Sequence, residues 1–188
     1  MKSTLKEIAS IQTGVFAKPI ANGDIVYLQS KHFDEDGLLK HVLHPDLKPE
    51  KISQKHMLRT GDVLFASKGT KNFAVCFEND NQPAVASTSF FVIRVLENLG
   101  SSILPGFLAW FLNHPATQKM LKAKAIGTSI VSISKVVLEE LKVSIPPVKT
   151  QKTILQIAYL RNKEKKMKQQ IENLREQKIQ HQIIKAIK

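Results

Sequence analysis

The chain has 188 residues, 43% of them hydrophobic and 23% charged, which is enough apolar content for a real core and argues against wholesale disorder. No apolar run approaches the length of a bilayer span, and the opening Met1-Lys2-Ser3-Thr4-Leu5-Lys6-Glu7 meets charge too early for a signal peptide, so a soluble cytoplasmic protein is expected. The net charge of +12 points to a polyanionic partner, most often nucleic acid, through counterion release.

In chain order, Leu5 to Ile11 reads as a short helix or strand leading into Gln12-Thr13-Gly14. A turn at Gly23 precedes the strand-like, partly β-branched run Asp24-Ile25-Val26-Tyr27-Leu28. Asp34-Glu35-Asp36-Gly37 is a turn signal, read as a solvated turn rather than a metal site, and His41 to Lys55 is loop-rich. The run Leu58 to Ala66 reads as a turn at Gly61 feeding a buried strand. The small basic loop Ser67-Lys68-Gly69-Thr70-Lys71-Asn72 joins it to a second strand, Phe73 to Phe77, as a hairpin. Ala86 to Val95 is read as one strand.

Ile103 to Asn113 starts a helix with Pro105 in its first turn and Trp110 in the core. Thr117 to Ala125 continues as a Lys-rich helix that Gly127-Thr128 ends. Ile130 to Ser134 alternates, and Lys135 to Leu141 is a short helix with Ser134 as its cap. Lys142 to Ile145 is a last strand before Pro146-Pro147. Residues 1–147 thus read as one mixed α+β domain.

Residues 148–188 read as a single rod. No Gly or Pro interrupts the run from Thr150 onward, so nothing forces a break. A helix of about 39 residues would be roughly 58 Å long, too long for the small domain to bury. Ile157, Leu160, Met167, Ile171 and Leu174 follow heptad steps, with a polar interruption near Glu164. Beyond Leu174 the register slips: Lys178 and His181 take the seam while Ile179, Ile183 and Ile187 form a new row. A drifting seam fits a short helix pair better than a long supercoil. A merely solvated helix is the alternative, but a long apolar stripe is costly to leave in water.

Catalytic chemistry has little support. The chain lacks G-x-S-x-G, a P-loop, H-E-x-x-H and G-x-G-x-x-G. Cys76 stands alone and reads as a buried, inert thiol; His41 and His44 have a weak spacing for zinc. No cofactor, metal or catalytic residue is expected, and the chain reads as one that binds rather than reacts. The binding case rests on Ser67, Lys68, Thr70, Lys71 and Asn72, where small residues let a backbone approach phosphates and Lys or Asn can meet base edges. Lys18 and Lys31 are further cations, and Ser87, Ser129 and Lys135 further donors. A plain hairpin loop, with the serines as strand-face and cap residues, is the competing reading.

Three patterns in order resemble a specificity subunit of a type I restriction-modification system. The first is Leu5-Lys6-Glu7-Ile8-Ala9 followed by a glycine. The second is Leu58-Arg59-Thr60-Gly61-Asp62-Val63-Leu64 with Ser67 and Gly69, and the third joins Gly127-Thr128, Ser134, Leu138, Leu141, Ile145-Pro146-Pro147, Gln151 and Ile154 before the long helix. The family often has Glu-Gln where this chain has Thr150-Gln151. The resemblance implies a target recognition domain over 1–147 and a spacer helix over 148–188. Family subunits usually carry two of each, with the helices paired antiparallel as a coiled coil. This chain therefore resembles a half-subunit. It would dimerise through Ile157, Leu160, Met167, Ile171, Leu174 and Ile183, read a bipartite site on double-stranded DNA, and dock a methyltransferase subunit and through it the restriction subunit. The competing readings are a detached recognition domain of a single-chain restriction-methylation enzyme and a basic coiled-coil adaptor.

Overall fold

The structure is a computed structural model that describes residues 2–34, 37, 39–69, 72–78, 83–99, 102–125 and 131–187. The chain divides into two compact units, Met1–Val148 and Lys149–Lys188. In chain order the elements are β1 (Lys2–Thr4), α1 (Leu5–Ile8), β2 (Ala9–Thr13), β3 (Val26–Leu28), β4 (Val63–Ala66), β5 (Lys68–Gly69), β6 (Ala74–Cys76), β7 (Ala84–Ala86) and β8 (Phe90–Val95). Then come α2 (Pro105–Asn113), α3 (Pro115–Ala123), β9 (Val131–Ser132), α4 (Lys135–Glu139), β10 (Lys142–Ser144) and α5 (Val148–Ile187), with single 3-10 turns at Ser30–His32, Pro49–Lys51, Gln54–His56 and Glu97–Leu99. The fold is α+β with a long C-terminal helix.

The centre of the first unit is a four-stranded antiparallel sheet in the order β2-β8-β4-β6. Its middle strands are apolar on both faces, and β4 is buried throughout. Val63 and Phe65 join Phe91 and Ile93 under one core cluster with Leu5, Ile8, Leu108, Leu112 and Leu138 from the helices. Leu64 and Ala66 join Phe90 and Val92 under a second cluster with Val26, Leu28, Ala84 and Ala86. Period-2 alternation therefore sends alternate side chains into two different cores. The second layer is the parallel pair β3-β7.

Local chemistry sets the boundaries. Leu5 to Ile11 becomes both elements the sequence allows: a one-turn helix, then strand β2. The expected single strand over Ala86 to Val95 is broken in two. The Ser87 hydroxyl lies 2.7 Å from that of Ser89 and accepts from the Ser89 amide, a local alternative to the ladder. β7 and β8 consequently pair in different sheets. The Lys-rich helix starts at Pro115 rather than Thr117, because a residue before proline avoids the helical region and His114 is extended at φ −61°, ψ 135°. The His114 ring caps α3 through the Ala116 amide at 3.3 Å. The helix end expected at Gly127-Thr128 and the turn residues Glu35 and Asp36 lie outside the described residues. Trp110 is half-buried, with its ring 5.7 Å from Phe107 and 5.3 Å from His114.

The turn at Gly61 is held as tightly as the strands. Gly61 has φ +91°, a region glycine enters without strain. Next to it Asp62, 1% exposed, receives Arg94 Nε at 2.7 Å and Nη2 at 2.6 Å, and its Oδ2 accepts the Arg59 amide at 2.8 Å. The bidentate pair fastens the turn to β8, and the carboxylate's hydrogen bond pushes the Arg94 pKa further above its ordinary value. At the sheet edge, the Asn113 amide of α2 stands in for a missing strand: its Oδ1 accepts from the Ala74 amide and its Nδ2 donates to the Ala74 carbonyl, both at 2.7 Å.

The second unit is helix alone. α5 has 40 residues, a length of about 60 Å at 1.5 Å per residue. Glu164–Lys168, Glu172–Arg175, Gln169–Asn173 and Gln180–Glu176 contacts support its surface. Lys168 holds the Glu164 carboxyl below the usual range. Ile157, Leu160, Met167, Ile171, Leu174 and Ile183 are 47–64% exposed.

Candidate nucleic-acid interface

One end of the central sheet gathers segments that are far apart in sequence. Thr13 pairs with Phe91 and Ala66 with Phe90, so β2 and β4 end where β8 begins. The corner Ser87-Thr88-Ser89 is the hub of that end. The Ser87 amide donates to Leu28 O at 2.8 Å, and Val15 bridges to Ser87. The Ser67 amide donates to Ser89 O at 2.9 Å, and the Ser30 amide reaches the Ser89 hydroxyl at 3.4 Å. The Ile133 amide donates to Ser67 O at 2.9 Å, while β5 pairs Lys68 with Ser132. Segments around residues 15, 30, 67 and 132 therefore meet at one rim.

Three aromatic rings brace the rim from below. Phe33, Phe73 and Phe90 each directly follow a rim segment, and their centroids lie 5.6, 5.7 and 6.0 Å apart in tilted and edge-on arrangements. Each such pair adds about 0.5–1.5 kcal/mol beyond the area it buries. Interlocked loop bases fix the backbone from which the exposed side chains project.

The sequence-derived candidates separate by burial. Lys18, Lys31, Lys68 and Lys135 are exposed. Lys135 also pairs with Glu139 at 3.4 Å on its own helix. Ser67, Asn72 and Ser87 are 2%, 8% and 5% exposed, which corrects their assignment as contact residues. Each is tied inward: Ser67 Oγ donates to Ser89 O at 3.3 Å, Asn72 Nδ2 donates to Ala66 O at 2.9 Å, and Ser87 Oγ meets Ser89 Oγ, while Asn72 Oδ1 is buried with no hydrogen-bond partner among the described residues. These residues build the rim rather than face outward from it. Thr70, Lys71 and Ser129 lie outside the described residues. The loop expected between two strands is more than a hairpin connection, because Lys68 and Gly69 form strand β5 against β9. Gly69 has φ +130°, and nothing lies within 4 Å of where a Cβ would sit, so its backbone is open to an approaching group.

Two titratable groups show how the surroundings act. Burial, then the neighbouring Lys31 charge, lowers the His32 pKa, and His32 Nδ1 accepts the Gln29 amide at 3.3 Å, a role the neutral ring fills. Burial pushes the Cys76 thiol up to about 11, leaving it protonated at neutral pH. Among the described residues no group of three His, Cys, Asp or Glu could hold a metal ion, and no helix is long and apolar enough to cross a membrane.

Sequence reasoning missed the Asp62–Arg94 clamp, whose partners are far apart in the chain. It also missed Phe16, 78% exposed beside the rim. Nothing in local composition marks either one.

Comparisons with known proteins agree on the fold. The type I restriction-modification system S subunit from M. genitalium is similar at 14% identity and a TM-score of 0.59, over 87% of this chain and 39% of that one. The HsdS subunit from Thermoanaerobacter tengcongensis gives 18% and 0.57, over 88% and 37%. A chain from a structure of complex assembly and conformational transition in the type I R-M system gives 17% and 0.53, over 88% and 38%. This chain spans about two fifths of the length of those proteins. No curated protein matches it. The family described as type I restriction modification DNA specificity domain matches residues 1–181, and the chain belongs to that family.

Proposed function

We propose that this chain is the non-catalytic, sequence-reading component of a type I restriction-modification assembly acting in the cytoplasm. Residues 1–147 are its target recognition domain. The rim bearing Lys18, Lys31 and Lys68 meets duplex DNA, and Thr70, Lys71, Ser129 and Lys135 are further contacts of this reading. The observation that carries this reading is the rim itself, where exposed cations stand on buried serines and a braced aromatic base. Exposed cations on segments anchored to the sheet suit phosphate contacts that fix register while other side chains read bases.

Residues 148–188 are a spacer. The half-exposed stripe supports pairing with the same helix of a second copy, antiparallel, through Ile157, Leu160, Met167, Ile171, Leu174 and Ile183. Two recognition domains then read the halves of an interrupted site, and the pair docks methyltransferase subunits and, through them, the restriction subunit.

Selection of bound sites from a random duplex pool, with the methyltransferase partner present, tests the reading. The expected result is a bipartite site bound about a thousandfold or more above random sequence, with a steep negative salt slope. Binding without sequence preference would leave a basic coiled-coil adaptor instead. Inserting one heptad before Glu172 should lengthen the preferred gap by about 10 Å of duplex; an unchanged gap would refute the spacer role. A monomer by light scattering at micromolar concentration, with the helix intact, would refute pairing.

A further inference from the structure

Phe16 stands apart from every other phenylalanine in the chain. Of the nine, it alone is exposed, at 78%; the others are buried or half-buried. The backbone that presents it is nevertheless fixed on both sides. The Tyr27 hydroxyl, on a side chain 3% exposed, donates to Val15 O at 2.9 Å and accepts from the Ala17 amide at 3.3 Å. One phenol thus brackets Phe16 from the carbonyl before it to the amide after it. The Val15 amide donates to Ala86 O at 2.8 Å, and the Gly14 amide to Phe90 O at 3.0 Å. Gly14 sits so close to the corner that a Cβ there would fall 2.1 Å from Ser87 O.

An exposed aromatic on a mobile loop would have no particular implication. An exposed aromatic on a backbone this restrained has already lost the loop-ordering entropy that binding would otherwise cost, which is the design of a recognition anchor. Its surroundings narrow the partner. Phe16, Lys18, Ile20, Lys48, Glu50 and Ile52 line a groove of about 410 Å³, with two cations to one carboxylate. Through Val15 the segment joins the same serine corner as Lys31 and Lys68.

We propose that Phe16 is a specificity-determining residue that packs against the 5-methyl group of a thymine in the recognised half-site. This rests on the DNA-reading function proposed above and names one base-reading side chain within it. Base faces are stacked inside a duplex, and the thymine methyl is the apolar group that the major groove displays. Lys18, two residues on, supplies the accompanying phosphate contact.

The test is Phe16→Ala in the full chain, assayed with its selected duplex and with a series replacing single thymines by deoxyuridine. A side chain this exposed contributes little to folding, so circular dichroism and the thermal midpoint should match the parent. Affinity for the selected duplex should fall roughly tenfold or more, the usual scale for losing one base-pair contact. Affinity for random duplex and the salt slope should not move, because no charge is lost. One deoxyuridine position should weaken the parent by a similar factor and weaken Phe16→Ala no further. If the variant selects the parental site with parental affinity, or if no deoxyuridine position couples to it, this inference falls while the DNA-reading function stands. A parent without sequence preference overturns both.

Discussion

Phe65 in β4 and Ile171 in α5 are both large apolar side chains, yet Phe65 is 0% exposed and Ile171 49% exposed. The contrast runs through the two units. In the first, a sheet with two apolar faces finds a core on each side, from helices on one and the β3-β7 layer on the other. In the second, the apolar stripe is half-open and the other faces are charged or polar. One unit carries its burial within itself. The other carries exposed apolar surface, which is the physical ground for the proposed pairing.

Paired substitutions should break this comparison most sharply. Phe65→Ala should cost about 3–5 kcal/mol in chemical denaturation, because the removed ring leaves a cavity in a packed core. Ile171→Asp should leave the thermal midpoint of the domain unchanged. It should raise the dissociation constant of the helix pair roughly a hundredfold or more, since two buried isoleucines are lost per dimer at about 1.5–3 kcal/mol each. Analytical ultracentrifugation reads the second effect. A domain destabilised by Ile171→Asp, with assembly intact, would show that the stripe belongs to the folded unit after all.

Asp62→Ala comes next, at about 2–3 kcal/mol, because it strands the Arg94 guanidinium and the Arg59 amide inside the turn. Adding Arg94→Met should recover part of that loss, and the double-mutant cycle measures how much. Strict additivity would mean that the pair does not act as a unit.

The elements most legible in the sequence were those set by local signals. Gly61 before an apolar run marked β4, Pro105 marked the start of α2, and Ser134 marked the α4 cap, where its Oγ accepts from the Val137 amide at 3.3 Å. The helix after Pro147 was legible because nothing in it could end a helix. Less legible was whatever depended on a distant partner. Ser87 looked like a surface donor because its neighbours are polar, but Ser67, Leu28 and Val15 meet at its corner and bury it. Lys18, Lys31 and Lys68 could be chosen singly as cations, but their shared rim required the pairing of β4 with β8 and the Ser89 hub. Asp62 could be seen as part of a motif, while its role needed Arg94.

On the rim, Lys68→Ala should lower affinity for cognate and random duplex alike and reduce the magnitude of the salt slope by about one, with stability unchanged. A loss confined to cognate duplex would make Lys68 a base reader rather than a phosphate contact.

The smallest expected effect is a pH dependence at His32. Its folded pKa lies below the ordinary histidine value of about 6.5, so the unfolded chain takes up the proton first as pH falls. The neutral ring accepts the Gln29 amide, and Lys31, Lys40, His41 and Asp46 act on it, with Asp46, among the described residues, favouring the charged form. The stability it contributes is therefore full above about pH 6.5 and declines as pH drops through the window beneath. His32→Asn keeps an acceptor at the position of Nδ1 and removes the titration. Denaturation midpoints followed from pH 7.5 to 5 should fall less steeply in that variant than in the parent. Because Lys31 shares the turn at Ser30–His32, DNA affinity of the parent should show a matching acid-side change that His32→Asn flattens. Parallel curves for parent and variant would place the acid sensitivity of the rim elsewhere.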